Sequence, residues 1–373
     1  MRKNKLTIVF WAVLFALASC TTTKKIGSNY PVSLKTAFKN QFLVGAAVNA
    51  QQIEQKDTAA NRLISTHFNA VTPENIMKAE WIHPAWGTYN FTLADKLVAY
   101  ANTNGLKINA HTLIWHSQLP AFMRGMHNPD SVRMYFEGHI NTVASRYDGK
   151  VYSWDVVNEA LNEDGTMRKS IFLQNLGEDY VVEAFRLAQQ AAPHTKLYYN
   201  DYNIEQPLKR AGAIALIKKI QAAGVRIDGV GIQGHWSINH LPLKEIGQSI
   251  QAFAALGIEV MFTELDLTVL PNPEDLAGAD VNQNTAYNER LNPYKNGLPD
   301  SVQTKLATAY ADLFTLLLKY KGKVSRVTFW GVNDGQSWLN NWPARGRVNY
   351  PLLFDRAYNP KPAYYQVLKA SKK

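Results

Sequence analysis

Residues Tyr152–Ala160 read YSWDVVNEA, and this stretch decides the fold class. Its first six residues are mostly aromatic or β-branched, which predicts a β-strand, and the strand ends in the polar pair Asn158-Glu159. Residues Glu259–Leu267 (EVMFTELDL) repeat the pattern, with an apolar run followed by Glu264. Because ligands bind at the carboxyl ends of strands in α/β folds, both glutamates are predicted to lie at one binding edge.

Eight strand-like runs, mostly separated by helix-like segments, follow this pattern along the chain. The runs are Phe42–Val48, Phe68–Pro73, Lys107–His116, Tyr152–Val157, Lys196–Asn203, Gly229–Trp236, Glu259–Asp266 and Arg326–Asp334. Apolar residues at helical spacing predict helices at Leu93–Asn104, Tyr180–Ala192, Lys209–Ala223 and Val302–Tyr320. A doubly wound sheet would carry a glycine-rich turn after its first strand, and Asn49-Ala50-Gln51-Gln52 stands there instead. The sequence therefore predicts an α/β fold, a single (β/α)₈ TIM barrel.

The first twenty residues have the composition of an export signal. Met1–Lys5 is basic, Leu6–Ala18 is apolar, and Cys20, the single cysteine of the chain, follows. Leu17-Ala18-Ser19-Cys20 resembles the lipobox of bacterial lipoproteins, which implies a lipidated Cys20; an ordinary signal peptide is the alternative. We expect a lipoprotein signal peptide at 1–19, a tether at 20–36 and the catalytic barrel at 37–373. This organisation predicts an exported protein, anchored by lipid to the bacterial cell envelope at the outer membrane or cell surface.

Charge and composition exclude several other classes of function. Arg2, Lys3 and Lys5 supply +3 of the formal net charge of +10, which leaves about +7 for the rest of the chain. Basic residues are scattered rather than clustered, so no nucleic-acid partner is expected. Neither a histidine pair at short helical spacing nor cysteine ligands are present, so no metal or cofactor is predicted. A monomer is expected.

The predicted strands carry a mixture of amides, carboxylates, imidazoles and indoles at their carboxyl ends. The set comprises Glu74, Asn75, Lys78, His111, Trp115, His116, Gln118, Asn158, Glu159, Asn200, Asp201, Tyr202, Asn203, Gln233, His235, Trp236, Glu264, Asp266, Trp330, Asn333, Asp334 and Trp338. Sugars require this mixture, because aromatic rings stack on the sugar face while polar groups bond the hydroxyls. Any one of these residues could instead be a helix cap, a packed indole or a buried histidine. A whole edge of such residues favours a carbohydrate site.

The motifs closely resemble those of glycoside hydrolase family 10, the (β/α)₈ endo-β-1,4-xylanases. The carrying segments are Thr72-Pro73-Glu74-Asn75 with Lys78, His111–Gln118 (HTLIWHSQ), Trp154–Ala160 (WDVVNEA), Gly231–His235 (GIQGH), Thr263–Asp266 (TELD), and Thr328–Gly331 (TFWG) followed by Asp334 and Ser337-Trp338. The resemblance extends from about Lys35 to the C-terminus.

The resemblance implies a role for each residue. Glu159 would be the general acid/base and Glu264 the nucleophile, with Asn158 bonding the sugar 2-hydroxyl. Glu74, Asn75, Lys78, His111, Trp115, Gln118 and Trp330 would line the glycone subsites, with Trp338 closing over them. Gln233 and His235 would lie beside the nucleophile, with Asp266 holding His235, and Tyr202 and Asn203 would reach the aglycone side.

Three functions are compatible with these residues. The first is endo-hydrolysis of β-1,4-xylosidic bonds by double displacement, which requires the two carboxyl groups to lie about 5–5.5 Å apart. The second is a retaining β-1,4-glucanase on the same barrel, distinguished by the space near Trp330 and Trp338. The third is a non-catalytic glycan-binding lipoprotein, and the presence of both Glu159 and Glu264 argues against it. The long irregular stretch Pro271–Pro299 is predicted to be a loop over the barrel mouth.

Overall fold

Eight parallel strands close into a barrel in the computed structural model, which describes residues 32–273, 276 and 278–372. Its strands are β1 Leu43–Val48, β2 Ala70–Pro73, β3 Lys107–Trp115, β4 Ser153–Asn158, β5 Lys196–Asp201, β6 Gly229–Ile232, β7 His235–Ser237, β8 Glu259–Thr268 and β9 Val324–Phe329. β1 to β6 pair in sequence order, β9 joins β1 to β8, and pairing of β6 with β8 closes the ring. The short β7 pairs with β8 above it. The predicted (β/α)₈ barrel is confirmed.

Helices surround the barrel and begin and end where the local sequence dictates. They are α1 Leu34–Ala37, α2 Ala50–Ile53, α3 Thr58–His67, α4 Ala79–Ile82, α5 Thr92–Asn104, α6 Pro129–Tyr147, α7 Ile171–Leu176, α8 Tyr180–Ala191, α9 Pro207–Ala222, α10 Leu243–Ala254, α11 Asp300–Leu318 and α12 Pro362–Ala370. Short 3₁₀ turns occupy Ala121–Met123, Glu289–Leu291, Asp334–Gln336 and Trp338–Asn340. Proline occupies the first position of α6, α9 and α12. It is tolerated there because the backbone N–H of the first helical residue has no acceptor within the helix. Gly105, with a positive φ, ends α5.

Two predicted strands differ from the observed ones. The run 229–236 is divided into β6 and β7, because Gly234 adopts a φ of +87° and bends the chain after Gln233. The bend brings Gln233 and His235 to the same pocket. The run 326–334 ends as a strand at Phe329, since Gly331 adopts a φ of +138° and a 3₁₀ turn begins at Asp334.

Polar side chains fill part of the barrel interior. Arg326 donates to Ser153 (3.4 Å), Ser153 donates to Asn109 (2.6 Å), and Asn109 donates to Asp155 (2.9 Å). Asp155 in turn lies 2.9 Å from Nδ1 of His111, and all five residues are at most 2% exposed. TIM-barrel interiors are usually packed with branched apolar residues, so this polar chain distinguishes the centre of this barrel.

The folded unit includes residues before 37, the position at which the sequence predicts that the barrel domain begins. Leu34 of α1 is fully buried, and the Tyr364 hydroxyl donates to the carbonyl of Val32 at 2.8 Å, so residues 32–36 belong to the barrel domain rather than to a tether. The predicted signal peptide 1–19, Cys20 and the rest of the tether lie outside the described residues. Within the part of the chain that the structure describes, no helix is long and apolar enough to cross a membrane.

The stretch Pro271–Pro299 follows β8 and lies over the carboxyl ends of the strands. Arg347 anchors it by donating to the carbonyls of Pro271 (3.0 Å) and Leu291 (3.1 Å). Ala279 and Val281 from this stretch line the same pocket as the two glutamates. The loop therefore forms part of the site.

Candidate active site

One cleft at the carboxyl end of the barrel contains both glutamates of the strand-end motifs. Glu159 follows β4, and Glu264 lies within β8; both are about 95% buried, with exposures of 4% and 5%. The pocket has an empty volume of about 570 Å³. It is lined by Glu74, Asn75, Lys78, His111, Trp115, Gln118, Asn158, Glu159, Gln233, His235, Glu264, Ala279, Val281, Trp330 and Trp338.

The carboxyl group of Glu159 accepts three hydrogen bonds from neutral donors, of which the one from the Asn158 amide to Oε1, at 3.2 Å, is the longest. The indole of Trp115 donates to Oε2 at 2.7 Å, and the amide of Gln233 donates to Oε1 at 2.9 Å. Burial raises the pKa of Glu159; these two bonds oppose the rise and the negative charge of Glu264 adds to it. The net direction is upward, so Glu159 holds its proton more strongly than an ordinary glutamic acid.

Glu264 lies in an environment of opposite electrostatic character. Burial alone would raise its pKa, but the hydrogen bond from His235, the charges of His111 and His235, and the hydrogen bond from Asn200 outweigh burial and lower it. Asn200 Nδ2 lies 2.8 Å from Oε1, and His235 Nε2 lies 3.3 Å from Oε2. Two buried glutamates therefore have their pKa values displaced in opposite directions.

His235 connects Glu264 to a second carboxylate. Its Nδ1 lies 2.9 Å from Asp266, whose other oxygen accepts the indole N–H of Trp338 at 2.8 Å. Burial would lower the pKa of His235, but the negative charges and hydrogen bonds of Asp266 and Glu264 raise it to about 10. His235 is therefore an imidazolium at neutral pH, and it is oriented by Asp266.

An amide bridge connects the two glutamates. Asn200 Nδ2 donates to Oδ1 of Asn158 at 2.9 Å as well as to Glu264, and Gln233 Nε2 lies 3.4 Å from the same Asn158 oxygen while donating to Glu159. Thr263 donates to Oδ1 of Asn200 at 2.6 Å and fixes the orientation of that amide. The side-chain amide that donates to each of the two carboxyl groups therefore also contacts Asn158.

A cationic and amide-rich cluster forms one end of the pocket. Lys78 Nζ donates to Gln118 (2.8 Å) and Asn75 (3.1 Å), and lies 4.8 Å from the centre of the Trp115 ring. Burial lowers the pKa of Lys78. Burial also raises the pKa of Glu74, although the positive charge of Lys78 opposes that rise. Donors and acceptors at this end suit the hydroxyl groups of a sugar.

Indoles and imidazoles cover the other side. Trp330 packs edge-on against His111 with ring centroids 5.6 Å apart, and Trp338 lies 4.9 Å from His235. Trp342 stacks on Trp338 at 4.5 Å and holds it in place. The result is an aromatic face opposite a polar one, the arrangement that sugar rings require.

Comparison with known proteins identifies the family. The model of glycosyl hydrolase family 10 matches residues 33–370, nearly all of the described chain. The chain belongs to glycosyl hydrolase family 10. Endo-1,4-beta-xylanase A of Xylanibacter ruminicola is 43% identical over 351 residues, covering 92% of this chain and 94% of that protein. The beta-1,4-xylanase of Dictyoglomus thermophilum is 42% identical over 339 residues, covering 90% of each.

Solved structures of family 10 enzymes agree in fold. An endoxylanase retrieved from a sugarcane soil metagenome superposes with a TM-score of 0.86 at 40% identity, covering 90% of this chain and 99% of that one. A xylanase of Paenibacillus barcinonensis complexed with a conduramine derivative gives a TM-score of 0.82 at 35% identity, covering 91% and 99%. This family 10 chain is therefore a glycoside hydrolase by sequence and by fold.

Two residues that family 10 resemblance assigned to substrate binding do not line this pocket. Tyr202 is 3% exposed, and its hydroxyl accepts from Arg168 at 2.6 Å. Asn203 donates to Glu163 at 2.9 Å. Burial and these bonds engage both side chains within the protein, so their contact with a sugar stays a prediction.

Several residues of the family 10 site were not singled out from sequence. Asn200 was noted only as one of many polar residues at strand ends, although it bonds Glu264 directly. Arg168 had no sequence signal apart from the Asp164-Gly165 turn that precedes it, which is typical of a hairpin. Ala279 and Val281 lie in a loop without periodicity, and only its position after the strand of Glu264 pointed to the site.

Asp334 stabilises the fold through buried contacts. It is fully buried, accepts from Lys361 at 2.8 Å and accepts the Leu352 N–H at 2.8 Å. It therefore joins the end of β9 to the segment that leads into α12.

Among the described residues, no group of three or more His, Cys, Asp or Glu side chains is arranged to hold a metal ion.

Proposed function

We propose that this chain is a retaining endo-1,4-β-xylanase in which Glu159 is the general acid/base and Glu264 the nucleophile. The supporting observation is the opposite displacement of the two buried pKa values, raised at Glu159 and lowered at Glu264. Retaining hydrolysis needs one protonated and one ionised carboxyl group at the same pH. Relatives named endo-1,4-beta-xylanase at 35–43% identity support xylan as the substrate.

In the first step, Glu264 attacks the anomeric carbon of the bound xylose as a carboxylate. Glu159 transfers its proton to the glycosidic oxygen, the bond between that oxygen and the anomeric carbon breaks, and the aglycone leaves as an alcohol. A covalent glycosyl ester on Glu264 remains. The imidazolium of His235 favours the ionised Glu264 before attack, and Asn158 is placed to bond the 2-hydroxyl of the sugar.

In the second step, the same groups act in reverse. Glu159, now ionised, takes a proton from a water molecule whose oxygen attacks the anomeric carbon, and the ester bond to Glu264 breaks. The sugar is released with its original anomeric configuration. Retention requires carboxyl groups about 5–5.5 Å apart, and we expect this separation between Glu159 and Glu264.

Substrate binding follows from the two faces of the pocket. We assign the glycone subsites to Glu74, Asn75, Lys78, His111, Trp115, Gln118 and Trp330, with Trp338 closing over them. Xylose lacks the hydroxymethyl group of glucose, and we infer that the stacked indoles of Trp338 and Trp342 limit the space for that group. This restriction favours xylan over a β-1,4-glucan.

Hydrolysis of linear xylan and of cellulose by the wild type and Glu264→Ala tests the assignment. We expect xylan-selective activity that the substitution removes, with the β anomer of the reducing sugar appearing first in proton spectra. Glucan activity lost in the same variant would move the substrate to the second candidate. Glycan binding without hydrolysis by the wild type, or the α anomer appearing first, would contradict the retaining enzyme.

Export and lipid anchoring are a separate part of the proposal, which the N-terminal sequence supports. We propose that residues 1–19 are a signal peptide and that a lipidated Cys20 anchors the enzyme to the bacterial cell envelope, and we expect a monomer. Labelling of the full chain with a radioactive fatty acid tests this, with Cys20→Ser as the control. Equal labelling of both chains, or none of either, would contradict lipidation at Cys20.

A further inference from the structure

Arg168 uses every nitrogen of its guanidinium beside the pocket. Nε donates to the carbonyl of Glu159 at 3.1 Å, and Nη2 donates to the Tyr202 hydroxyl at 2.6 Å and to the carbonyl of Leu161 at 3.3 Å. Nη1 pairs with Asp280 at 3.3 Å, in the loop that covers the site. The side chain is only 16% exposed. A guanidinium with this many partners has a fixed position.

A hairpin brings Arg168 back to the glutamate. Leu161 and Met167 pair in antiparallel fashion, and the turn between them contains Gly165 with a φ of +84°. The N–H of Arg168 then donates to the carbonyl of Ala160 at 2.8 Å. The arginine is therefore held to the residue after Glu159 by its backbone as well as to Glu159 by its side chain.

Glu159 needs such support because its backbone is left-handed. Its φ is +57°, a conformation that is unfavourable for a residue with a Cβ. Its N–H is held by the carbonyl of Asn200 at 2.9 Å, and its carbonyl is held by Arg168. We propose that Arg168 is a positioning residue that holds the acid/base Glu159 in its working orientation and couples that orientation to the loop segment 279–282. This inference rests on the proposed function.

Hydrogen bonds fix the position of Asp280 in the loop. Asp280 Oδ1 accepts from the N–H and the side-chain amide of Asn282, both at 2.9 Å, and the Asp280 carbonyl accepts from Trp342 at 3.2 Å. The residues on either side, Ala279 and Val281, line the pocket. The ion pair between Arg168 and Asp280 thus sets where these two pocket residues lie.

Arg168 also contributes charge at Glu159. Its positive charge lowers the pKa of Glu159 against the larger upward effect of burial, so its removal raises that pKa further. The other charged or titratable groups around Glu159 are Glu264, His235, Lys78, Asp201 and Tyr202. Substituting Arg168 also removes its hydrogen bond to Tyr202 and its lowering effect on the pKa of that phenol, so Tyr202 stays neutral and the direction of the change at Glu159 is defined.

The test compares leaving groups on aryl β-xylobiosides. A dinitrophenolate leaves without a proton, whereas a phenolate or a sugar needs one from Glu159. Arg168→Met is expected to lower kcat/KM on phenyl β-xylobioside at least about tenfold more than on the dinitrophenyl compound, since general acid catalysis is worth roughly 10²–10⁴-fold. The basic limb of the pH profile of kcat/KM is expected to move to higher pH.

Two variants separate positioning from general damage. Arg168→Lys keeps the charge and should leave the basic limb near that of the wild type. Arg226→Met removes a half-buried arginine that bonds Asp228 and two carbonyls at the opposite end of β6, and should change neither readout. Equal losses of Arg168→Met on both leaving groups, or an unmoved basic limb, would overturn the proposal.

Asp280→Asn tests the loop arm of the coupling. It retains the acceptor for Asn282 but removes the ion pair, so KM for xylohexaose should rise several-fold, and kcat/KM should fall more on phenyl than on dinitrophenyl β-xylobioside, though by less than in Arg168→Met. An unchanged KM would overturn the coupling to the loop. Failure of the wild type to cleave any xylobioside would instead count against the proposed function, since no variant is needed to observe it.

Discussion

Asn200 donates a hydrogen bond of 2.8 Å to Oε1 of Glu264, and the same amide nitrogen contacts Asn158. Asn200→Ala removes one donor from an ionised carboxylate, an interaction worth about 1.5–3 kcal/mol. We expect kcat/KM on xylan to fall roughly 10- to 100-fold and its acidic limb to move to higher pH, because the pKa of Glu264 rises. Steady-state kinetics across pH checks both effects, and an unmoved acidic limb would contradict the role given to this bond.

Gly231 of β6 pairs with Asn200 of β5 in the barrel. A Cβ at this position would overlap the side-chain oxygen of Asn200 and come within 2.6 Å of Cγ2 of Thr263. Gly231→Ala is therefore expected to displace the Asn200 amide and lower kcat/KM at least as far as Asn200→Ala does. Gly138→Ala on α6, where nothing lies within 4 Å of an added Cβ, serves as the control and should retain wild-type activity.

The pH dependence of the enzyme follows from its two glutamates. The proposed mechanism requires Glu264 ionised and Glu159 protonated, and their pKa values are displaced below and above the ordinary 4.5. kcat/KM should rise as pH passes upward through the pKa of Glu264 and fall as pH passes that of Glu159. The profile should thus be bell-shaped, with its acidic limb below pH 4.5 and its basic limb above pH 4.5. Glu159→Gln should lose the basic limb on a dinitrophenyl substrate, and its persistence there would assign that limb to another group.

Buried histidines should titrate far apart in nuclear magnetic resonance spectra. The pKa of His235 is raised to about 10 by its carboxylates against burial, whereas burial lowers that of His139 to about 3 and that of His116 to about 4. At pH 7, ¹⁵N shifts should show His235 doubly protonated and the other two neutral. Spectra of His235→Gln assign the resonance, and a neutral His235 at pH 7 would contradict its pairing with Asp266 and Glu264.

His235 also predicts a pH dependence of stability. Its folded pKa of about 10 exceeds its ordinary value of 6.5, so its contribution is complete below 6.5 and is lost as pH rises through 10. The free energy of unfolding of the wild type relative to His235→Gln should therefore decrease between pH 7 and pH 10. Denaturant titrations at several pH values measure this difference, and a constant difference would contradict the prediction.

The buried pair of Asp334 and Lys361 should be a major stabilising contact. Lys361→Met leaves the Asp334 carboxylate buried without its cation, which costs about 3–5 kcal/mol. Adding Asp334→Asn should recover part of this loss, because the acceptor for Leu352 remains while the charge is gone. Urea unfolding measures both variants; Arg133→Met, which breaks an exposed ion pair with Glu137, should change stability by less than about 1 kcal/mol.

Strand ends were predictable because each strand changes sharply from apolar to polar residues. Glu159 and Glu264 stand at such changes, and the sequence therefore identified both the barrel and the edge that carries the pocket. The break between β6 and β7 was not predictable in the same way, because Gln233-Gly234 interrupts an otherwise continuous strand-like run. Only the positive φ of Gly234 reveals the bend.

Residues that act through backbone bonds escaped sequence reasoning for a physical reason. The bond from Arg168 to the Glu159 carbonyl depends on the path of a hairpin, which no residue type encodes by itself. Tyr202 shows a second limit of sequence reasoning. A tyrosine at a strand end is chemically suited to a sugar, but here its hydroxyl is already bonded to Arg168.

The polar chain from Arg326 through Asp155 to His111 joins the centre of the barrel to the catalytic pocket. Replacing such buried charges by well-packed apolar side chains is a common route to greater stability. In this barrel the same replacement would remove the partner that orients His111, beside the nucleophile. The same few side chains therefore affect both thermal stability and turnover. Substitutions that stabilise this enzyme without loss of activity are expected on the helices and loops outside the barrel.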